Sequence, residues 1–194
     1  MEFKDGVKTF HAQSRQEWRD WLGANHQSEK SVWLIIYTKD SKVPSVYYPE
    51  AVDEALCFGW IDSKPNKRDD RSYYQFFAKR SPKSNWSKVN KEKVENLIVQ
   101  NLMAPAGLEA IEIAKHNGTW TALDAVEDLI IPDDLQKEFD RNKTAWENWE
   151  KFPRSSKRGI LEWIVGAKKP ETRQKRINET VRLAGENIRA NHNY

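Results

Sequence analysis

The pattern of apolar residues changes near residue 80, and this change limits the folds open to the chain. Before it, a continuous run rich in β-forming residues, 31–39, predicts a buried strand. Two shorter β-like pieces, 60–64 and 72–79, flank a turn and predict a hairpin that pairs with that strand. Apart from one break, the rest of the chain has helical spacing. We therefore expect an α+β fold: a small antiparallel sheet with packed helices, followed by a helical C-terminal module.

Start signals and apolar stripes locate the helices. Ser14 stands three residues before Glu17, a capping box that predicts a helix over 14–26. Pro49 and Gly59 bound the next helix, because proline suits a first helical turn and glycine an end. The later helices are predicted from these stripes: Val94, Leu97, Ile98 and Leu102; Leu108, Ile111 and Ala114; Trp146, Trp149 and Phe152; Ile160, Trp163, Ile164 and Ala167; Ile177, Val181 and Ala184.

A looser stretch over 119–134, which contains Pro132, interrupts the helical part. It predicts a linker segment and hence two domains. We place an α+β N-terminal domain at 1–128 and a helical module at 129–194.

The composition argues against several classes of protein. The four histidines are scattered, and the chain has neither a phosphate-binding loop nor a dinucleotide-binding glycine motif, so we expect no metal and no cofactor. Cys57 is the only cysteine, so no intrachain disulfide can form, and a reducing compartment suits the chain. No apolar run approaches the roughly 18 residues of a membrane span, and the N-terminus lacks an apolar signal region. We expect a cytoplasmic protein.

Positive charge is concentrated in one segment. Residues 64–93 hold ten basic and three acidic residues, a balance of +7 in a chain of net charge +3. Aromatic residues are interleaved with this charge, a combination that suits nucleic acid or another polyanion. A hairpin with one solvated basic face gives the same pattern. Nucleic-acid binding is therefore an alternative function.

The same segment contains a predicted ligand site at the junction between the hairpin and the next helix. A helix N-terminus presents free N–H groups, and basic side chains beside it favour a small anionic ligand. We expect the two tryptophans to pack on the ligand, the arginine to neutralise it and the small polar residues to hydrogen-bond it. The predicted lining is Trp60, Asp62, Arg80, Ser84, Trp86, Ser87 and Asn90.

Two residues leave other readings open. Asp62 can pair with Arg71 or Arg80 and fix the hairpin, or serve as the general acid or base of an enzyme with Cys57 or Ser84 as its partner. Cys57 lies on an apolar helix face, which favours a small buried residue over a reactive thiol. We expect binding rather than covalent chemistry, with the enzyme as the alternative.

Four stretches carry a family resemblance: EAVDEALCFGWIDS, FAKRSPKSNWSKVN, LMAPAGLEAIEIAKHNG and RGILEWIVGAKKPETRQKRI. Together they resemble the YdeI/OmpD-associated family, also called bacteriocin-protection proteins, over nearly the whole chain. The segment from about 130 to 187 resembles that family's separate helical module. The resemblance implies a bacterial protein associated with resistance to bacteriocins or antimicrobial peptides, with no established reaction. The second stretch departs from the family, because FAKR stands where members often have F-x-P-R.

Overall fold

A five-stranded sheet organises the first part of the chain in the computed structural model, which describes residues 2–191. Its order is β1-β2-β3-β5-β4. The strands are β1 (Phe3–Lys4), β2 (Val7–His11), β3 (Ser31–Tyr37), β4 (Trp60–Lys67) and β5 (Ser72–Lys79). The α+β class and the pairing of the hairpin with the buried strand are confirmed. The sheet is mixed rather than wholly antiparallel, because β2 and β3 run parallel.

The β1–β2 hairpin was not anticipated, although the sequence contains a signal for it. Asp5 and Gly6 form the two-residue connection between Lys4 and Val7, and both have positive φ. This is the backbone that Asp-Gly favours in tight hairpins. The hairpin brings β2 alongside β3, and α1 (Arg15–Asn25) makes the crossover that a parallel pair requires.

Three further helices complete the first unit, namely α2 (Tyr48–Cys57), α3 (Lys88–Val99) and α4 (Pro105–His116). The predicted cap of α1 is confirmed, since the Ser14 side chain accepts a hydrogen bond from the Glu17 amide at 3.2 Å. The Glu17 carboxylate accepts a hydrogen bond from the amide of Gln13 rather than from that of Ser14.

The stripes of α3 and α4 are narrower than predicted. Val94, Leu97, Ile111 and Ala114 are buried, but Ile98 is 43% exposed and Leu108 42% exposed. Both helices pack against α2, so one side of each is covered. Ile98 and Leu108 therefore lie at the exposed edges of their stripes.

The second compact unit begins at Ala122, after a first unit that ends at Thr121. It consists of α5 (Asp124–Glu127), α6 (Asp133–Asp140), α7 (Lys143–Lys151), α8 (Arg154–Val165) and α9 (Pro170–Gly185). The predicted C-terminal module extended to residue 194, and residues 192–194 lie outside the described part. No helix within 2–191 is long and apolar enough to cross a membrane.

An aromatic and aliphatic core holds this helical unit together. Phe139 lies 5.2 Å from Trp149, ring centre to ring centre, among buried aliphatic residues from α6 to α9. Asn142 caps the start of α7 by accepting a hydrogen bond from the Ala145 amide at 3.1 Å.

Candidate functional site

The two tryptophans of the predicted cleft belong to the core of the first unit. Trp60 and Trp86 are each 1% exposed, so neither ring offers a face to a ligand. The Trp60 indole donates a hydrogen bond to the His26 carbonyl at 3.3 Å, and Trp86 packs on Trp120 with ring centres 5.0 Å apart. Both rings fill part of the core, and their packing on a ligand stays a prediction.

Arg80 is also committed to the protein. Its guanidinium lies 3.8 Å from the centre of the Trp86 ring, and Nη2 donates to the Asn85 carbonyl at 2.6 Å. Nε and Nη1 are buried and have no hydrogen-bond partner among the described residues. Burial lowers the pKa of Arg80 to about 10, and the charge of Asp62 partly offsets this effect. The Nε and Nη1 atoms are covered by the protein in this conformation, and the contact of Arg80 with an anion stays a prediction.

The small polar residues of the predicted cleft shape the chain at the start of α3. Ser87 is the N-cap, and its hydroxyl accepts a hydrogen bond from the Asn90 amide at 3.3 Å. The amide of Ser84 donates to the Ser81 carbonyl at 2.9 Å, which closes a turn. The Ser87 side chain is therefore used as a cap, whereas these bonds involve only the backbone amides of Ser84 and Asn90, whose side-chain contacts with a ligand stay a prediction.

Asp62 has a partner that the sequence analysis did not consider. The Tyr48 hydroxyl donates a hydrogen bond to Oδ2 of Asp62 at 2.7 Å. Burial, and after it the Asp62 hydrogen bond and charge, raise the pKa of Tyr48 to about 12. Tyr48 is therefore a neutral phenol at physiological pH that donates to an acceptor carboxylate. The alternative in which Asp62 pairs with Arg71 or Arg80 is not seen among the described residues, where Tyr48 bonds to Asp62 and Nη2 of Arg80 bonds to the Asn85 carbonyl.

Three cavities share Tyr73 in their lining, and their volumes are about 470, 530 and 420 Å³. Tyr48 lines the first two, Pro65 lines the first and the third, and Asp62 lines none of them. We call the three cavities together the tyrosine groove, defined by Tyr37, Tyr47, Tyr48, Pro65 and Tyr73.

The groove forms where the N-terminus of α2 meets the ends of β4 and β5. Pairing between these strands shifts between Asp62 and Pro65, which leaves an irregular stretch at the edge of the sheet. The buried Gln75 amide donates to the Ser63 carbonyl within this stretch and fixes it. Tyr73 stands two residues before Gln75 and therefore lies on the same face of β5, beside the cavity.

Sequence reasoning identified Asp62 but missed Tyr48, Tyr73 and Gln75. Tyr47 and Tyr48 were visible as two tyrosines just before Pro49, at a predicted helix start. These two tyrosines did not point to a site, because the sequence does not indicate which strands they approach.

A thiol-based enzyme is not assembled in the described structure. Cys57 is fully buried, and burial, followed by the charge of Glu54, raises the pKa of its thiol. Neither Cys57 nor Ser84 lines any of the three cavities beside Asp62.

Several of the basic residues of 64–93 pair with distant acidic or carbonyl groups. Arg68 binds Glu2 at 3.0 Å, Lys93 forms an ion pair with Asp53, and Lys79 donates to the Gln27 carbonyl at 2.6 Å. The +7 balance of the segment is therefore not the charge of a single surface.

Comparison with known families divides the chain in two. Residues 10–110 match the family described as Domain of unknown function (DUF8412), and residues 128–187 match OmdA, described as Bacteriocin-protection, YdeI or OmpD-Associated. No curated protein and no solved structure matches the chain. The family resemblance is confirmed for the C-terminal segment, whereas the three quoted stretches before residue 120 lie outside the OmdA match. The chain belongs to the DUF8412 family through residues 10–110 and carries a YdeI/OmpD-associated OmdA domain in its C-terminal unit.

Proposed function

We propose that the first unit is a binding module that takes a small molecule in the tyrosine groove without covalent chemistry. The proposal rests on one observation: three cavities of about 420 to 530 Å³ are all lined by Tyr73. Ligand sites in proteins have volumes of roughly 300 to 1,000 Å³, and a few polar groups orient the ligand in a mostly apolar lining.

The lining fits this description. Tyrosine rings and Pro65 supply apolar and aromatic surface, and Tyr48, whose hydroxyl donates to Asp62 at 2.7 Å, is a fixed polar residue of one wall. Tyrosine loses little conformational entropy on binding and offers both a ring face and a hydroxyl. A perturbed ionisable group beside a cavity also favours a functional site over an ordinary surface depression.

Two neighbouring tyrosines on β5 allow a matched test. Tyr73 lines the groove, whereas Tyr74 faces the opposite side of the sheet, where its hydroxyl contacts Glu2. A library of small soluble fragments is screened by ligand-observed NMR against the full chain and against Tyr73→Ala and Tyr74→Ala. We expect fragments that bind the full chain and Tyr74→Ala but lose at least tenfold in affinity for Tyr73→Ala. Equal binding to all three proteins, or no binding to any of them, would contradict the proposal, provided that thermal denaturation shows each variant folded.

We further propose that this binding serves protection against bacteriocins, in the cytoplasm. The protective role is supported by the match of residues 128–187 to the family described as Bacteriocin-protection, YdeI or OmpD-Associated. Bacterial cells that express the full chain are challenged with bacteriocins, beside cells that express Tyr73→Ala at the same level. We expect cells that express the full chain to survive better than cells that express neither protein. Cells that express Tyr73→Ala should survive no better than cells that express neither protein. Unchanged survival with the full chain would refute the protective role without affecting the binding site.

A further inference from the structure

Gln75 is a buried polar side chain in the lining of the first cavity, the one of about 470 Å³. It is only 2% exposed. Its amide nitrogen donates to the Ser63 carbonyl, and this bond identifies the two ends of the amide, because a carbonyl oxygen accepts only from an N–H group. No donor within residues 2–191 is bonded to the other end, Oε1. A buried acceptor without a donor costs free energy, so Oε1 points to a donor from outside the chain.

The Tyr73 hydroxyl is a second polar group of this cavity that the protein leaves unbonded. It makes no hydrogen bond in the described part of the chain. Burial raises the pKa of Tyr73, so the hydroxyl stays a neutral group that can donate or accept. The Tyr48 hydroxyl differs, since its proton is already given to Asp62 at 2.7 Å. The first cavity therefore offers a ligand one acceptor and one neutral hydroxyl.

No charged side chain lines the first cavity among the described residues. Its lining consists of Tyr48, Ser63, Pro65, Tyr73 and Gln75. A charged ligand would lose its hydration there without meeting an opposite charge in the lining. The rings of the two tyrosines instead offer surface to another aromatic ring, which packs on such rings face to face or edge to face. The lining therefore favours a neutral aromatic ligand.

The charges of the second cavity cancel. Lys39 and Glu50 are its two charged lining residues in the described structure, one of each sign. Both already contact Tyr47, because Nζ of Lys39 lies 5.1 Å from the centre of its ring and Glu50 accepts a hydrogen bond from its amide at 3.2 Å. This cavity therefore has no excess charge that would select an ion.

The charges of the third cavity are paired. Lys67 forms an ion pair with Asp70 at 2.8 Å, and Asp69 forms one with Arg68 at 3.2 Å. The lining of the whole groove thus attracts neither an anion nor a cation. Shape and hydrogen bonds, not charge, select its ligand.

We infer that the first cavity binds a neutral aromatic ring that carries an N–H or O–H group, and that this group donates to Oε1 of Gln75. This inference rests on the proposed function and names the ligand class for the same site. The ring packs on Tyr73 and Tyr48, and the Tyr73 hydroxyl is left for a second polar group of the ligand.

Indole and benzofuran test the donor. They have nearly the same bicyclic shape and both are neutral, but benzofuran has an oxygen where indole has an N–H. Binding is followed by two-dimensional NMR of the full chain, with the shifts of Tyr73 and Gln75 as the readout. We expect indole to bind roughly fivefold more tightly, because one hydrogen bond is lost with benzofuran. Equal affinities, or tighter binding of benzofuran, would refute the donor.

Benzamide, benzoate and benzamidine test the charge. The three have nearly the same shape and are neutral, negative and positive at pH 7. We expect benzamide to bind about tenfold more tightly than either ion, because the ions lose hydration without gaining a partner. Benzoate or benzamidine that binds as tightly as benzamide would refute the neutral ligand class.

Gln75→Met tests the acceptor, because methionine keeps the length of the side chain and removes the amide. We expect the preference for indole over benzofuran to disappear in this variant. Gln100→Met, at the exposed C-terminal end of α3 and outside the lining of the groove, is the control and should keep the preference. A folded Gln75→Met protein that keeps it would refute the assignment of Gln75. If thermal denaturation shows this variant unfolded, the two probe comparisons on the full chain decide the ligand class.

The outcomes separate this inference from the proposed function. If fragments bind at Tyr73 but indole equals benzofuran, or a charged probe binds most tightly, the ligand class is refuted and the binding module stands. If neither fragments nor these probes bind at Tyr73, both are refuted. Indole binding that exceeds benzofuran binding and is weakened by Tyr73→Ala supports both.

Discussion

An alanine at position 107 would place its Cβ only 2.2 Å from the carbonyl oxygen of Cys57. The carbonyl carbon of Cys57 lies 2.7 Å away, and Cε of Met103 lies 2.8 Å away. The first two are backbone atoms at the end of α2, so they cannot rotate out of the way. The amide of Ala104 donates to the same Cys57 carbonyl at 3.0 Å, which ties the start of α4 to this position. Gly107→Ala therefore requires one helix to move relative to the other.

The size of the effect follows from this geometry. Overpacking in a well-packed core costs about 1–3 kcal/mol when side chains can adjust. Because the closest contacts of Gly107 are with main chain, we expect the upper end, about 3 kcal/mol of destabilisation. Gly159→Ala is the matched control, since Gly159 lies within α8 and its new Cβ would meet no atom within 4 Å. Alanine is the better helix former by about 1 kcal/mol, so this variant should be more stable than the parent.

Urea denaturation measures both variants, with tryptophan fluorescence and far-ultraviolet circular dichroism as probes. Because the chain forms two compact units, each with tryptophans and helices, the units can unfold in separate steps. One free energy of unfolding is therefore calculated only if the fluorescence and circular dichroism curves coincide. A Gly107→Ala protein within 0.5 kcal/mol of the parent, on the order of the effect of an ordinary surface substitution, would refute the packing argument. A Gly159→Ala protein less stable than the parent would refute the control.

Three further predictions concern charged and phenolic groups. Glu54→Gln should lower the free energy of unfolding, measured by urea denaturation, by about 3 kcal/mol, the lower end for breaking a buried ion pair. We expect the lower end because the partners of Glu54, Arg15 at 2.5 Å and Arg19 at 2.6 Å, have side chains that are 40% and 27% exposed. A loss under about 1 kcal/mol would contradict this. The pKa of Tyr48 is raised to about 12 from 10.0, so the native state retains a proton that the unfolded chain releases, and stability should fall as the pH rises through this window. Absorbance titration should show Asp62→Asn lowering this pKa, and no change would contradict the role of the carboxylate. The hydrogen bonds from Arg173 hold the pKa of Asp134 below its ordinary value of 3.8. Their contribution to stability is therefore present above that pH and lost on acidification. Asp134→Asn should make the free energy of unfolding, measured by urea denaturation, less dependent on pH in the acid range.

Features that depend on neighbours along the chain could be predicted from the sequence. The helix over 14–26 was predicted because Ser14 and Glu17 act within one turn, and the observed helix is Arg15–Asn25. The hairpin of β4 and β5 was predicted because a turn separates two β-rich pieces, and the observed strand β5 has the predicted bounds of 72–79. Local hydrogen bonds and residue preferences determine such elements, so a short window of sequence contains the information.

Features that depend on packing between distant segments could not be predicted. Ile98 and Leu108 fit the helical stripes by spacing, but α2 covers a narrower side of each helix than the spacing suggests. Trp60 and Trp86 were assigned to a ligand because they stand beside polar residues in sequence, yet both fill the core. Spacing shows which residues share a face, and only the packing shows what covers that face.

The anionic ligand predicted from the basic segment illustrates the same limit most clearly. Along the chain, the +7 segment suggested an anion, because basic residues outnumber acidic ones there. In space, Arg68 meets Glu2, Lys93 meets Asp53, and Arg80 lies on a tryptophan, so these charges are neutralised or buried. The acidic partners come from up to 66 residues away, beyond any local count. A basic stretch of sequence therefore does not by itself make a basic surface, and an anion-binding role requires basic groups that stay unpaired at a cavity.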